Sequence, residues 1–255
     1  MPLWFIEQPG LIYGFNRKKI KKLHNKFKGK RCFIVGNGPS LNKIDLTKLK
    51  NEYSFAVNGI FYKTNEVGYK PTFYVVEDNA VIKDNIQIIN NYDCDYRFFP
   101  SIYKPYIKNK KNTYFFNMNR AFYEPKSYYY ETPRFSKDCH NRIYVGQSVT
   151  IDNLQLAFYL GFKTVYLIGM DFNYDIPESA NVDGHIIVST EDDPNHFHPD
   201  YFGKGKTWHD PKLQNVLKSY QLAKLMYEQA GRKIYNATVG GKLELFERVE
   251  FNSLF

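Results

Sequence analysis

Cys32-Phe33-Ile34-Val35-Gly36-Asn37-Gly38-Pro39-Ser40-Leu41 is the stretch that decides the fold. An apolar, β-prone run ends at a glycine pair, which is how an α/β nucleotide-binding domain passes from its first strand into its first loop. Two glycines allow a sharp turn and a close backbone approach to a ligand. Ser40 can cap a following helix, whose unpaired N–H groups can receive a phosphate. A nucleotide is therefore expected above Gly36, Asn37, Gly38 and Ser40. The spacing departs from both common fingerprints. Pro39 follows the second glycine, so G-x-G-x-x-G fails, and no Lys-Ser or Lys-Thr follows to complete a P-loop. On their own these glycines are equally read as a tight turn.

Outward from this loop, short apolar runs alternate with helix-like stretches, as a parallel sheet with crossover helices requires. Strands are predicted over 32–35, 54–57, 72–76, 96–99, 113–116, 164–168 and 233–235. Ligands of such sheets gather at the carboxyl ends of strands, which brings Asn58, Glu77, Asp78, Asn117 and 169–171 beside the first loop. The clearest helix is predicted over 148–160, apolar at Ile151, Leu154, Ala157 and Phe158, with Gly161 as a left-handed cap. The strand after it delivers Gly169-Met170-Asp171-Phe172, so Asp171 projects from a strand end, either to bind a ligand hydroxyl or to brace a loop. From Asn173 to Asp210 periodicity is lost, and so long a stretch in a compact domain is expected to act as a lid. It holds His185, His196, His198 and His209. An amphipathic helix through Val216, Tyr220, Ala223 and Met226 follows, ended by Gly231.

The chain has 255 residues, 43% of them hydrophobic, and no Pro/Gly/Ser-rich linker, so one domain is expected over 31–255 after a basic segment, 1–30. Cys32, Cys94 and Cys139 are scattered and odd in number; neither a disulfide framework nor a zinc site is suggested, and a cytoplasmic setting fits. The start, Met1 to Ile6, is apolar but short and lacks the charged flank of a signal peptide. In Arg17 to Lys28, the residues Ile20, Leu23 and Phe27 share a helical face ringed by cations. That face either lies on an anionic bilayer or packs on the domain, and packing is the preferred reading. A net charge of +9 suits anionic substrates, while no helix-turn-helix, RNP or finger pattern supports nucleic acid. The aromatics clustered from Tyr103 to Tyr130 are read chiefly as core. His196 and His198 stand close to Asp192, Asp193 and Asp200, but without a metal-ligand spacing, so no metal site is expected. A homo-oligomer is compatible with this composition.

Three segments together resemble the bacterial sialyltransferases of glycosyltransferase family 42. They are Ile34 to Leu41 with Ile44-Asp45, Asn58-Gly59-Ile60-Phe61-Tyr62, and Leu160 to Phe172. The same features are similar to the wider Rossmann group that includes 6-hydroxymethylpterin diphosphokinases and motility accessory factors. The resemblance covers roughly residues 30 to 240. It implies an α/β, Rossmann-like single domain of the glycosyltransferase A-type variant, with a parallel central sheet, flanking helices and a lid-like insertion at about 173–210.

The resemblance also implies a CMP-activated sialic-acid-like or other keto-sugar acid as donor substrate, with no resident cofactor and no metal. The acceptor it implies is a surface polysaccharide or glycoconjugate, glycan or lipid-linked, met in the cytoplasm or at the inner face of the membrane. Asn37, Gly38 and Asn58 match the family's nucleotide-holding positions, and Ser148 or Thr150 its donor contact. His209, in Trp208-His209-Asp210, matches its catalytic histidine, with His198 the nearest competitor. The family's tyrosine after Asp-Phe is displaced by one position to Tyr174, and Tyr201 is the candidate for its second. Glu77-Asp78-Asn79 replaces a family Asn-Pro-Ser, leaving Asp78 as the donor-side residue there. A histidine base near neutrality suits removal of a hydroxyl proton. Charge on departing CMP would be met by tyrosine hydroxyls, backbone N–H groups and Lys204 or Lys206. The alternatives are an ATP-dependent pyrophosphotransferase holding Mg²⁺ at Glu77 and Asp78, and a non-catalytic nucleotide-binding module.

Overall fold

Eight parallel strands form the central sheet: β1 (Arg31–Val35), β2 (Ser54–Val57), β3 (Phe73–Val75), β4 (Tyr96–Pro100), β5 (Thr113–Phe116), β8 (Thr164–Ile168), β12 (Lys233–Asn236) and β13 (Glu247–Arg248). Residues 14–177, 179–183 and 186–255 are described by this computed structural model, so the apolar run at Met1 to Ile6 and His185 lie outside them. The strand order is β13-β12-β8-β1-β2-β3-β4-β5. All seven predicted strands are present, three with the predicted bounds and four differing by one residue at one or both ends, and β13 adds an edge strand that two residues of sequence could not announce.

Alternate side chains of each strand enter opposite cores. Cys32 and Ile34 of β1 face one side with Phe55, Phe73 and Phe98; Phe33 and Val35 face the other with Ala56, Tyr74 and Phe99. On the first side pack α1 (Gly14–Lys21), α4 (Val149–Leu160) and α5 (Leu213–Gln229). On the second pack α2 (Phe61–Val67) and α3 (Asn79–Asn91). Covered on both faces, the strands read as unbroken apolar runs. Each fully buried Phe or Ile among them contributes about 1.5–3 kcal/mol.

The helix predicted over 148–160 forms, with Ser148 accepting the Thr150 N–H as its N-cap and Gly161 at φ 96. Its amphipathic pattern understates its position, because all twelve residues are buried between the sheet, α5 and the turns after α1. The basic stretch is helical only to Lys21 and then runs through tight turns to Lys30. Its apolar stripe is covered: Ile20, Leu23 and Phe27 lie in the core, with the Phe27 ring stacked on Phe162 at 5.2 Å. That corrects the bilayer alternative for this face, although Lys18, Lys21, Lys22, Lys26, Lys28 and Lys30 stay exposed. Among the described residues no helix is long and apolar enough to cross a membrane. All three cysteines are buried free thiols.

The insertion at 173–210 is not structureless. It folds a three-stranded antiparallel sheet, β9 (Asn181–Asp183), β10 (Ile186–Val188) and β11 (Thr207–His209), with an irregular stretch between β10 and β11. A two-stranded pairing, β6 (Met118–Asn119) with β7 (Ile143–Tyr144), lies beyond β5. Successive strands run outward from β1 to β5, and the chain then returns to place β8 on the other side of β1. The C-terminal ends of β1 and β8 therefore form the topological switch point, where ligands of such sheets bind.

Candidate functional site

The loops leaving β1 and β8 are bonded to each other. Gly36 N–H donates to Ile168 O at 2.8 Å and Gly38 N–H to Gly169 O at 3.0 Å. A Cβ on Gly38 would lie 1.8 Å from Asp171 Oδ2, so only glycine fits there. Asp171 accepts the Ser40 hydroxyl at 2.7 Å and the Ser40 N–H at 3.2 Å. Bracing a loop is thus the role the structure gives Asp171. Ser40 is corrected as a cap: Pro39–Lys43 is a single 3-10 turn with Gly38 at its N-cap and no side-chain cap bond. The carboxylate already at that turn takes the place expected for a phosphate.

Above these loops opens a cavity of about 750 Å³. Of the expected site residues Gly36, Asn37, Gly38, Asn58, Asp78, Ser148, Thr150, Asp171, Tyr174, Tyr201 and His209 line it; Ser40 and His198 do not. Asn37 donates from Nδ2 to Tyr201 Oη at 2.9 Å, and its buried Oδ1 has no hydrogen-bond partner. Asn58 sits at φ 45, a left-handed conformation Asn tolerates, and its carbonyl accepts the Tyr74 hydroxyl at 2.6 Å. Asp78 spends one carboxylate oxygen as the N-cap of α3, accepting from Ala80 and Val81 N–H. Thr150 is buried with its hydroxyl 3.6 Å from Met170 Sδ.

The stretch from Asp193 to Phe202 docks on the loops after β1 and β2. Phe197 N–H donates to Asn37 O at 2.9 Å, and Asn42 Nδ2 donates to Phe197 O at 2.9 Å. The Tyr201 ring fills the space in front of Gly59, and its hydroxyl accepts the Gly59 N–H at 3.3 Å. Burial pushes the Tyr201 hydroxyl well above its ordinary range, outweighing its bonds with Gly59 and the Asn58 side chain. Burial does the same to Tyr174, with Asp193 adding to it. Both are neutral phenols at physiological pH, able to donate to a phosphate oxygen.

His209, on the edge strand β11, is exposed and faces the cavity between Trp208 and Asp210. His198 is placed elsewhere: its ring stacks on Tyr62 at 4.7 Å and its Nδ1 accepts the Asp200 N–H at 3.2 Å. Lys206 donates to Tyr62 Oη at 3.3 Å, and neither it nor Lys204 lines the cavity. The cations that do line it are Arg120 and Lys212, the latter paired with Glu131 at 3.0 Å.

Several lining residues escaped the sequence reading as parts of the site: Tyr103, Arg120, Tyr123, Gln147 and, as a member of this wall, His196. Arg120 and Gln147 stand in irregular segments with no periodicity to place them. Glu77, at the end of β3, also lines the cavity. Burial raises its carboxyl to about 7, the Asp78 charge adds to the shift and Arg120 opposes it. Behind it Asp152 is fully buried with neither oxygen hydrogen-bonded, and burial and Glu77 push its carboxyl well above the ordinary range. Among the described residues no three His, Cys, Asp or Glu side chains gather as a metal-ligand group. His196 and His198, adjacent but for one residue, face different partners.

No curated protein matches the sequence. A glycosyltransferase, MAf of Magnetospirillum magneticum AMB-1, is similar in fold over all of this chain, at a TM-score of 0.52 and 14% identity. This chain spans 40% of that protein's length. The family model described as 6-hydroxymethylpterin diphosphokinase MptE-like matches residues 12–177, the part that carries β1 to β8, the first loop and Asp171. With more than half of its length so matched, the chain belongs to the MptE-like family.

Proposed function

We propose that this chain is a glycosyltransferase that moves a sugar from a nucleotide donor, a CMP-linked keto-sugar acid, to a hydroxyl on a glycan or lipid-linked acceptor. The observation that carries the reading is the polar cavity at the β1/β8 switch point, with two amides, Asn37 and Asn58, at its floor. The unpartnered Oδ1 of Asn37 is an acceptor, and the exocyclic amine of cytosine is a donor that suits it. The fold shared with a glycosyltransferase is consistent with this chemistry without carrying it.

With the nucleotide over Gly36 to Gly38, the sugar faces Ser148, Thr150 and Arg120. His209 takes the acceptor hydroxyl proton as the new C–O bond forms and the C–O bond to the nucleotide phosphate breaks, a contribution of roughly 100- to 10,000-fold. Tyr174 and Tyr201 donate to the departing phosphate. The exposed lysines between Lys18 and Lys30 favour approach to anionic surfaces by charge alone.

The family's description favours a second reading, pyrophosphate transfer from ATP to a pterin alcohol. That chemistry calls for Mg²⁺, and the fitting carboxyls are Glu77 and Asp78. They suit it poorly, since Glu77 is pushed up to about 7 and Asp78 gives one oxygen to α3. Incubation with CMP-, UDP- and GDP-linked sugars, following nucleotide release, separates the readings. Release from a CMP-linked sugar supports transfer; release from none, with ATP turned over in Mg²⁺, overturns it.

A further inference from the structure

One titratable pair in the cavity wall has no role in the chemistry above. His196 Nδ1 lies 2.7 Å from Asp193 Oδ2, and both side chains are largely buried, at 8% and 3% exposure. Asp193 is itself fixed: Oδ1 accepts the Asn195 N–H at 2.8 Å and Oδ2 the Phe202 N–H at 2.9 Å. Burial raises its carboxyl, but the bonds from His196 and the two backbone N–H groups outweigh that and hold it below its ordinary value. An ionised carboxylate at Nδ1 keeps a proton there and leaves Nε2 as the ring position that exchanges one.

The imidazole is also clamped. It stacks face to face on Tyr201 at 4.1 Å and meets Tyr174 and Phe202 edge-on at 5.9 and 5.2 Å. Through Tyr201 and Phe197 this clamp is bonded to Asn37, so His196 belongs to the wall over the first loop. His209 lies on β11 between Trp208, whose ring stacks on Phe202 at 6.3 Å, and Asp210, whose carbonyl accepts from Gln147 beside the start of α4. Both histidines line the same cavity, His196 beside the loop after β1 and His209 on β11.

We propose that His196, positioned by Asp193, is the catalytic acid on the donor side, giving its Nε2 proton to the nucleotide phosphate as it leaves. This rests on the transferase reading above. The step balances: the anomeric C–O bond to phosphate breaks, the phosphate oxygen takes the proton from His196, the acceptor oxygen bonds the anomeric carbon, and its proton passes to His209. Solvent then restores both imidazoles. Asp193 is a positioning residue, since it acts only through the ring.

The test compares wild type, His196→Gln and Asp193→Asn. Calorimetric titration with CMP and UDP is followed by kcat measured across pH with the CMP- or UDP-sugar that wild type turns over. His196→Gln is expected to lower kcat roughly 100-fold or more, to abolish the fall in rate at high pH, and to leave nucleotide affinity within a few-fold. Asp193→Asn is expected to lower kcat and displace the same alkaline limb, and it decides the matter if His196→Gln does not fold. An unchanged kcat or an intact alkaline limb in the folded variants overturns the proposal while leaving the transferase reading in place. A wild type that binds neither nucleotide overturns both.

Discussion

Ser40 and Asp171, 131 residues apart in sequence, are joined by a 2.7 Å hydrogen bond that ties the loop after β1 to the loop after β8. The floor of the cavity is therefore one braced unit. Asp171→Ala leaves the Ser40 N–H and hydroxyl unpaired at a partly buried site, and is expected to cost about 1–3 kcal/mol. Gly38→Ala is expected to cost a similar amount, about 1–3 kcal/mol, by forcing the carboxylate aside. Urea denaturation measures both, and unfolding midpoints equal to wild type would remove the brace.

Glu77 and Asp152 give the protein an inverted response to pH. Their folded-state values are raised above the unfolded ones, to about 7 for Glu77. Their stability contribution is therefore complete below the unfolded values, 4.5 for Glu77 and 3.8 for Asp152, and is lost as pH rises above them. Asp152→Asn is expected to raise the melting temperature at pH 7.5 and to flatten its decline between pH 5 and pH 7.5, because a buried carboxyl without hydrogen bonds is removed. A melting temperature lowered by Asn at pH 7.5, with the slope unchanged, would contradict this.

Much of this architecture is legible from the chain because the physics is local. Seven apolar runs became parallel strands, and Ser148 with Gly161 bounded α4 as their types require. The dual role open to Asp171 was resolved only by its partner 131 residues away, which no local pattern encodes. Ser40 read as the cap of a phosphate-receiving helix, yet the turn is 3-10 and already faces a carboxylate. The three short strands of the insertion were missed because each has three residues, too few for a period of two to register. Arg120 reaches the cavity from an irregular segment, and the partnership of Asp193 with His196 was visible only as a spacing of three.

Backbone protection should divide the insertion. The Phe197 N–H bonds Asn37 O at 2.9 Å, so the stretch around it is expected to exchange slowly in the free protein. Slowing on nucleotide addition is expected instead in 173–190 and 203–210. Hydrogen exchange read by mass spectrometry would count against this division if 193–202 exchanged as fast as an open loop without ligand.

His209→Ala is expected to cut turnover by roughly 100-fold or more with nucleotide affinity within a few-fold, since a base acts in the transition state. His198→Ala is expected to stay near wild type, because that ring stacks on Tyr62 away from the cavity. Steady-state kinetics with the acceptor decides it: the reverse ranking moves the base to His198, and no effect of either removes histidine as base.

Isothermal calorimetry with CMP and with ATP, each with and without Mg²⁺, tests cytidine recognition over Gly36 to Gly38 most directly. CMP is expected to bind without Mg²⁺ and to lose affinity in Asn37→Ala and Asn58→Ala. Tight, Mg²⁺-dependent ATP binding with no binding of CMP would contradict it.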